Sequence, residues 1–158
     1  MAVDLSVIAV LNALSSPAAE DEWRLAEAIA YRAHRGVVRR YSGDAYINHP
    51  LRVSATVARA GGTDHAIIAA VLHDVVEDTK WTLHGLTLAG ISRPVVHLVD
   101  VLTHHSDESY RGYIARVSVN PEASAVKRAD LLDNMATLPT REPLWFRYIA
   151  ALKELSQT

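Results

Sequence analysis

Residues 63–79 read TDHAIIAAVLHDVVEDT, a stretch in which an apolar run meets a polar cluster. The apolar run follows Thr63, a residue type that favours helix N-termini, and its spacing predicts a helix that faces the core. Four titratable residues then interrupt the apolar pattern: His73, Asp74, Glu77 and Asp78. Burying such groups costs free energy unless they are paired or bind a cation. This stretch therefore predicts a core helix that carries a polar site.

The same helical spacing of apolar residues continues through most of the chain, which favours an all-α fold. Breaks rich in proline, glycine and serine divide the pattern into about eight or nine helices. Asn120, Pro121 and Glu122 supply a cap, a first-turn proline and a first-turn acid for a helix that carries residues 126–138. With 158 residues the chain has the size of one domain. We therefore expect a single compact helical bundle over residues 1–158.

Composition narrows the classes of function and partner. The net charge is −2, so no global positive field exists to attract DNA or RNA. The chain has no cysteine, which excludes disulfides and thiolate metal sites and fits the cytoplasm. It also lacks an uncharged apolar run of roughly eighteen residues. We expect a cytoplasmic protein without nucleic acid or membrane as partner, and the sequence leaves open whether copies of the chain form a homo-oligomer.

Two further polar residues, His49 and Asp130, also interrupt apolar segments. With His73 and Asp74 they make a set of two imidazoles and two carboxylates, which suits manganese, iron or zinc better than calcium. Taken singly, His49 also fits a core histidine bonded to backbone, and Asp130 fits an ion pair with Arg128. The segment around His73 alone also fits a solvated or arginine-paired helix end. The prediction of a metal site therefore depends on the whole set.

Four segments, in the same order along the chain, resemble the hydrolase domain of the RelA/SpoT family, a branch of the HD-type metal-dependent phosphohydrolases. The resemblance covers roughly residues 20–140. Because the chain has no room for a synthetase or regulatory domain, it resembles a stand-alone small alarmone hydrolase. The segments are AHRG at 33–36, YINHPL at 46–51, LHDVVEDT at 72–79, and KRAD at 127–130 followed by Asn134 and Met135.

The resemblance implies removal of the 3′-pyrophosphate from guanosine tetra- or pentaphosphate, a small-molecule nucleotide. It implies one divalent ion, usually Mn²⁺, with Fe²⁺, Zn²⁺ and Co²⁺ as alternatives, held by His49, His73, Asp74 and Asp130. Glu77 and Asp78 match the family's catalytic pair. In one continuous helix they lie one turn beyond His73 and Asp74 on the same face. We expect Glu77 to orient and deprotonate the attacking water, with Asp78 as its partner.

The resemblance also implies contacts to the nucleotide. An arginine nine residues before the first histidine ligand stacks on the base in the family, which corresponds to Arg40, or to Arg39 when counted from His34. Further candidate contacts are Tyr46, Lys127 and Asn134. For the cationic candidates the alternative is an ordinary solvated face.

Several positions depart from the family pattern, and none of them is a predicted metal ligand. They change the surroundings of the base and ribose, so the purine is not readable from the sequence. Tyr110 and Tyr113 fit either the wall of the pocket or packing between helices. The departures are Val37 for the usual glutamine, Ala45 for proline, Leu131 for arginine and Asp133 for histidine.

Two rival functions stay open. One is an HD enzyme of other specificity, such as a nucleotide phosphomonoesterase or an NADPH 2′-phosphatase, which would release orthophosphate instead of pyrophosphate. The other is a sensor that binds metal and nucleotide without turnover. The presence of both Glu77 and Asp78 argues against a sensor, because a module that only binds has little need for carboxylates beside the metal's water.

Overall fold

The computed structural model describes residues 5–140 and 142–156. Within these ranges it contains nine helices of at least seven residues and one single-turn helix, α5, which confirms the predicted all-α fold. None of these helices combines the length and the apolar composition that a membrane span needs. The helices are α1 (Leu5–Ala13), α2 (Pro17–Ala33), α3 (Asn48–Arg59), α4 (Asp64–Leu72), α5 (Val75–Asp78), α6 (Leu83–Ala89), α7 (Arg93–Leu102), α8 (Tyr110–Ser118), α9 (Pro121–Thr137) and α10 (Pro143–Leu155).

Helix α4, which leads into His73 and Asp74, and helix α9, which carries Asp130, begin where the sequence predicts. The Thr63 hydroxyl accepts a hydrogen bond from the backbone N–H of Ala66 at the start of α4. The Asn120 side chain accepts one from Ala123 at the start of α9, where Pro121 occupies the first turn. Each cap satisfies a backbone donor that the helix itself leaves unpaired, which fixes where the helix starts.

Helix α4 occupies the centre of the core. Its residues from Ala66 to Leu72 are all buried, and it packs against α2, α3, α7 and α9. A buried hydroxyl ties three of these helices together, because Ser54 of α3 accepts from the Trp23 indole of α2 and donates to the backbone oxygen of Ile67 in α4. This hydroxyl therefore fixes the position of α4 relative to α2 and α3.

The predicted continuous helix through residues 71–79 is wrong in one respect. Helix α4 ends at Leu72, a turn follows at His73 and Asp74, and α5 begins at Val75. The His73 imidazole lies 2.7 Å from the backbone oxygen of Ala70, the same oxygen that an unbroken helix would offer to the Asp74 N–H. Competition of this kind between a side chain and the backbone favours an interruption of the helix.

The loop between α2 and α3 returns the chain to the end of α4. An isolated β-bridge joins Val38 to Ala45, and Gly43 adopts the left-handed conformation that the tight turn between them requires. Tyr46 then lies beside His34, with the ring centroids 4.7 Å apart. This arrangement places Tyr46 and the start of α3 beside His73 and Asp74, the polar residues of the turn after α4.

Candidate metal centre and adjoining cleft

Three buried side chains from three separate segments of the chain converge at the end of α4. They are His49 at the start of α3, His73 after α4 and Asp130 in α9, and their ligand atoms all lie within 4.8 Å of one another. The Nε2 atoms of His49 and His73 lie 3.1 Å and 3.5 Å from Asp130 Oδ1. Two ligands that each bind one ion at about 2.1 Å lie about 3.0–3.4 Å apart at coordination angles of about 90–109°. The spacing therefore fits a shared ion.

Asp74, the fourth predicted ligand, lies next to the same point. Its Oδ2 atom is 3.1 Å from the Nε2 of His73 and 3.5 Å from the Nε2 of His49. Its side chain keeps 18% of its surface exposed, whereas those of the two histidines are almost wholly buried. The structure thus brings the four predicted ligands together, with Asp74 on the side that faces solvent.

Hydrogen bonds at the far side of each ring favour presentation of both Nε2 atoms to this point. A backbone oxygen can only accept, so the 2.7 Å contact between His73 Nδ1 and Ala70 O assigns the proton to Nδ1 in the neutral ring. The Nε2 atom of His73 is buried and faces carboxylate oxygens of Asp74 at 3.1 Å and of Asp130 at 3.5 Å. A buried ring nitrogen between two carboxylates needs a proton or a cation to balance their charge. The donor set therefore fits a divalent metal ion.

The carboxylates around the cluster favour the protonated form of the imidazole where a cation would bind. Burial alone would lower the pKa of His49, but hydrogen bonds to Asp130, Asp133 and Asp74 raise this pKa to about 9. Burial alone would raise the pKa of Asp130, but Lys127 and the two imidazoles hold it well below its usual range. A metal ion that binds these ligands has to displace the proton from the imidazole.

Asp130 is held by two neighbours on its own helix. Lys127 Nζ donates to Oδ2 at 2.8 Å, and Asn134 Nδ2 donates to Oδ1 at 2.6 Å. The family resemblance predicts both residues as contacts to the nucleotide. They line the adjoining cleft, so a contact to a ligand and a contact to Asp130 are compatible.

A polar cleft of about 260 Å³ opens beside the cluster. Asp74 and Asp130 line its metal side, and residues of α8 and α10 line a second side, here called the wall. The wall combines aromatic rings with a guanidinium, because Arg147 lies over the Tyr110 ring at 4.4 Å. The side chains that the cleft adds to the predicted site are His104, Tyr110, Tyr113, Arg147 and Tyr148.

The predicted catalytic carboxylates line different cavities. Glu77 lines the cleft that holds Asp74 and Asp130, and its Oε2 accepts a hydrogen bond of 3.0 Å from the backbone N–H of His104. Asp78 instead lines a neighbouring cavity of about 600 Å³. Burial and the negative charge of Asp74 raise the pKa of Asp78. Only Glu77 of the pair therefore lines the cleft beside the metal cluster.

Tyr46 separates the two cavities and lines both. Its hydroxyl donates to Asp74 Oδ2 at 2.6 Å and lies 3.2 Å from Asp78 Oδ2. The contact orients the carboxylate of Asp74 beside the two histidines. Tyr46 thus lies within reach of a ligand in the cleft, and its predicted contact to substrate stays a prediction.

Neither arginine predicted to stack on the base lines the cleft. Arg39 is nearly buried and donates to Asn134 Oδ1 at 3.0 Å and to Thr137 Oγ1 at 3.3 Å. Arg40 is exposed, with its guanidinium over the Tyr41 ring at 5.4 Å. Their stacking roles stay predictions, and base stacking on Arg39 would require its present contacts to change.

Sequence reasoning did not identify Arg147 and Tyr148 of α10 or His104 after α7. No local spacing connects them to the motifs, because tertiary packing of α8 and α10 brings them to the cleft. The only signal in the sequence is a cation among aromatic residues in WFRY at 145–148. Tyr110 and Tyr113 were predicted either to line the pocket or to pack between helices, and both line the cleft.

Comparison with known proteins identifies relatives of the same fold. A probable GTP pyrophosphokinase from Mycobacterium leprae is 37% identical over 119 residues, which is 70% of this chain and 15% of that protein. A guanosine-3′,5′-bis(diphosphate) 3′-pyrophosphohydrolase from Aquifex aeolicus is 34% identical over 111 residues, 65% of this chain and 16% of that protein. The chain therefore spans about one sixth of the length of these curated relatives.

A solved structure agrees with this grouping. It is that of a metazoan ortholog of SpoT, described as hydrolyzing ppGpp and acting in starvation responses. It superposes with a TM-score of 0.71 at 23% identity, over 86% of this chain and 84% of the other. At this identity the likeness shows a shared fold. The HD domain family matches residues 26–111, more than half of the chain and the part that contains His49, His73 and Asp74, and the chain therefore belongs to the HD domain family.

Proposed function

We propose that this chain is a metal-dependent pyrophosphohydrolase that removes the 3′-pyrophosphate from guanosine tetra- or pentaphosphate or a related alarmone. The observation that carries the proposal is the convergence of His49, His73 and Asp130 beside a cleft that Asp130 and Glu77 both line. Relatives from Aquifex aeolicus and Haemophilus influenzae, both named as 3′-pyrophosphohydrolases of guanosine-3′,5′-bis(diphosphate), support the choice of substrate.

The proposed cofactor is one divalent ion held by His49, His73, Asp74 and Asp130. Two imidazoles and two carboxylates suit manganese, iron or zinc better than calcium. We propose Mn²⁺, the usual metal of the family that the chain resembles, with Fe²⁺, Zn²⁺ and Co²⁺ as alternatives. When bound, such an ion lowers the pKa of its water ligand and neutralises charge on phosphoryl oxygens. Lys127 neutralises the oxygen of Asp130 that faces away from the histidines, which keeps this carboxylate in place.

Glu77 is the proposed general base. Its carboxylate lines the cleft, and the backbone N–H of His104 holds one of its oxygens at 3.0 Å. This hydrogen bond orients the side chain, and the second oxygen can accept the proton of the attacking water. Asp78, in the neighbouring cavity, supports this arrangement through the Tyr46 hydroxyl that it shares with Asp74.

The wall of the cleft is the proposed site for the nucleotide. Arg147 of this wall and Lys127 of α9 offer cations to phosphate oxygens, and Tyr110 and Tyr148 offer aromatic faces and hydroxyls. Tyr113 is buried, and its hydroxyl donates to the backbone oxygen of Leu102. The Tyr110 hydroxyl is buried and has no hydrogen-bond partner among the described residues, so a ligand in the cleft can supply one. Of the contacts predicted from the resemblance, Tyr46, Lys127 and Asn134 line this cleft, and we keep Arg39 and Arg40 as proposals for the base.

We also propose that residues 1–158 form one hydrolase domain in the cytoplasm that takes a small nucleotide and no nucleic acid. One cluster of buried apolar residues connects helices from α1 to α10, which supports a single domain. The net charge of −2 and the absence of cysteine support the other two points. Size-exclusion chromatography with light scattering decides whether copies assemble into a homo-oligomer.

The test is a product analysis with the metal-loaded protein. The protein is purified, its metal is identified by elemental analysis, and it is incubated with guanosine and adenosine tetraphosphates, NADPH and a nucleoside monophosphate. We expect pyrophosphate from guanosine tetraphosphate. Release of orthophosphate from NADPH or the monophosphate would favour an HD enzyme of other specificity, and nucleotide binding without release would favour a sensor. The variant His73→Ala, prepared in parallel, controls for contaminating hydrolases.

A further inference from the structure

The carboxylate of Asp133 in α9 lies behind His49, on the side of the ring away from the cluster. Asp133 Oδ2 is 2.7 Å from His49 Nδ1. The guanidinium of Arg52 donates to both oxygens of Asp133, from Nε at 2.7 Å and from Nη2 at 3.0 Å. Arg39 adds a longer ionic contact at 3.7 Å. Asp133 is thus held in place by cations and directs one oxygen at the imidazole.

The two histidines of the cluster are oriented by different kinds of partner. His73 donates from Nδ1 to a backbone oxygen, that of Ala70, which no side-chain substitution removes. His49 has a side-chain carboxylate in the same role. A carboxylate carries a full charge, so it strengthens the electron donation of the opposite ring nitrogen more than a neutral carbonyl does. The ligand strength of His49 therefore depends on one replaceable residue.

We propose that Asp133 is a positioning residue that fixes the Nδ1–H form of His49 and strengthens its Nε2 as a ligand for the cation. The inference rests on the metal site of the proposed function. Asp133 is not among the residues that line the cleft and acts only through His49. Arg52 holds the carboxylate in its bidentate geometry, so the oxygen that faces His49 keeps its direction.

A purely structural role for Asp133 predicts a different result. The pair formed by Asp133 and Arg52 also connects α9 to α3, so its loss would lower stability whether or not a metal binds. A structural role would change the melting temperature of the metal-free protein and leave the affinity for the ion unchanged. A positioning role would weaken the affinity by more than any change in the metal-free fold explains.

The experiment compares Asp133→Asn with Glu108→Gln in the full chain. Asparagine keeps the shape and an acceptor oxygen but loses the charge. Glu108 is a matched control, because it is also paired with an arginine, Arg116, and none of its recorded contacts involves a residue of the metal cluster. For each protein the affinity for Mn²⁺ and for Zn²⁺ is measured by calorimetric titration at fixed pH. The melting temperature of each metal-free protein is recorded as well.

We expect Asp133→Asn to bind both ions about 10- to 100-fold more weakly and Glu108→Gln to bind them like the parent chain. Excess metal should restore turnover in Asp133→Asn, which a damaged fold would not allow. Parent-like affinity in Asp133→Asn would overturn the inference. If Asp133→Asn does not fold, the pair Asp133→Glu and Asp133→Gln separates charge from length, and equal affinities in that pair would overturn it as well.

The outcomes also separate this inference from the proposed function. A parent chain that binds metal but releases no pyrophosphate would overturn the proposed activity, while a weaker affinity in Asp133→Asn would still support the role of Asp133. A parent chain that binds neither Mn²⁺ nor Zn²⁺ would overturn both.

Discussion

The two sides of the cleft are built differently. On the metal side, His49, His73 and Asp130 are buried, and each has a hydrogen-bond partner that fixes its direction. On the wall, Arg147 is exposed and its recorded contact is with the face of Tyr110. The protein's own hydrogen bonds therefore fix the side chains on the metal side, whereas Arg147 on the wall has a charge that is free to adapt. Variants on the two sides should therefore fail in different ways.

The largest effect is expected from loss of a ligand on the metal side. His73→Ala removes a nitrogen that is buried at the point of convergence, so metal binding should be lost and pyrophosphate release should fall more than about 10⁴-fold. Elemental analysis and a pyrophosphate assay measure both. The control is His65→Ala, which replaces an exposed histidine of α4, the helix before His73, and should keep both properties. Chelation of the metal should reproduce the loss, and a variant with full metal and activity would disprove the assignment of His73.

The next effect is expected at Glu77, whose carboxylate lines the cleft beside the metal cluster. Glu77→Gln keeps the shape of the side chain but removes its capacity to accept a proton, so kcat should fall about 10²- to 10⁴-fold. The metal content should stay at the parent level, because Glu77 is not a predicted ligand. Asp78→Asn should lose less, since Asp78 lines the other cavity. A larger loss of kcat in Asp78→Asn than in Glu77→Gln would assign the role of general base to Asp78 instead of Glu77.

A smaller effect is expected from the wall itself. Arg147→Ala removes a cation that can make charge-assisted hydrogen bonds to phosphate, so KM should rise about 10- to 100-fold with little change in kcat. Steady-state kinetics with guanosine tetraphosphate measures the change. The control is Arg111→Ala, an exposed arginine of α8 outside the cleft. An unchanged KM in Arg147→Ala would show that Arg147 of α10 does not bind the phosphate groups.

The smallest effect is expected at Glu108, in the loop between α7 and α8. A hydrogen bond from Arg116 lowers the pKa of Glu108 from its usual value of 4.5 to about 2. A lowered pKa in the folded state means that the stabilisation is fully present above about pH 5 and is lost as the pH falls toward 2. Because the pair is partly exposed, its loss should cost about 0.2–1 kcal/mol. Urea unfolding of the parent and of Glu108→Gln at pH 7 and pH 3 should show a smaller difference at pH 3, and an equal difference at both would disprove it.

The same contrast explains what the sequence could predict. The ligand candidates His73 and Asp74 stand out because they interrupt an apolar run, and Thr63 and Asn120 mark their helices by the chemistry of their caps. Arg147 has no such local signal, since its place in the cleft depends on how α10 packs against α8. The contact between Asp133 and His49 was also not predictable, because it joins residues 84 positions apart through the packing of α3 and α9.

The turn after α4 has a consequence for how this site can change. Adjacent residues in an unbroken helix point about 100° apart, so their side chains cannot easily reach one point. At residues 73 and 74 the backbone keeps right-handed helical dihedral angles, and the Oδ2 atom of Asp74 nevertheless lies 3.1 Å from the Nε2 atom of His73. An insertion or a deletion at this position would displace both ligands at once. His73 and Asp74 therefore depend on the same short piece of backbone, and a change that moves one of them away from the metal cluster also moves the other.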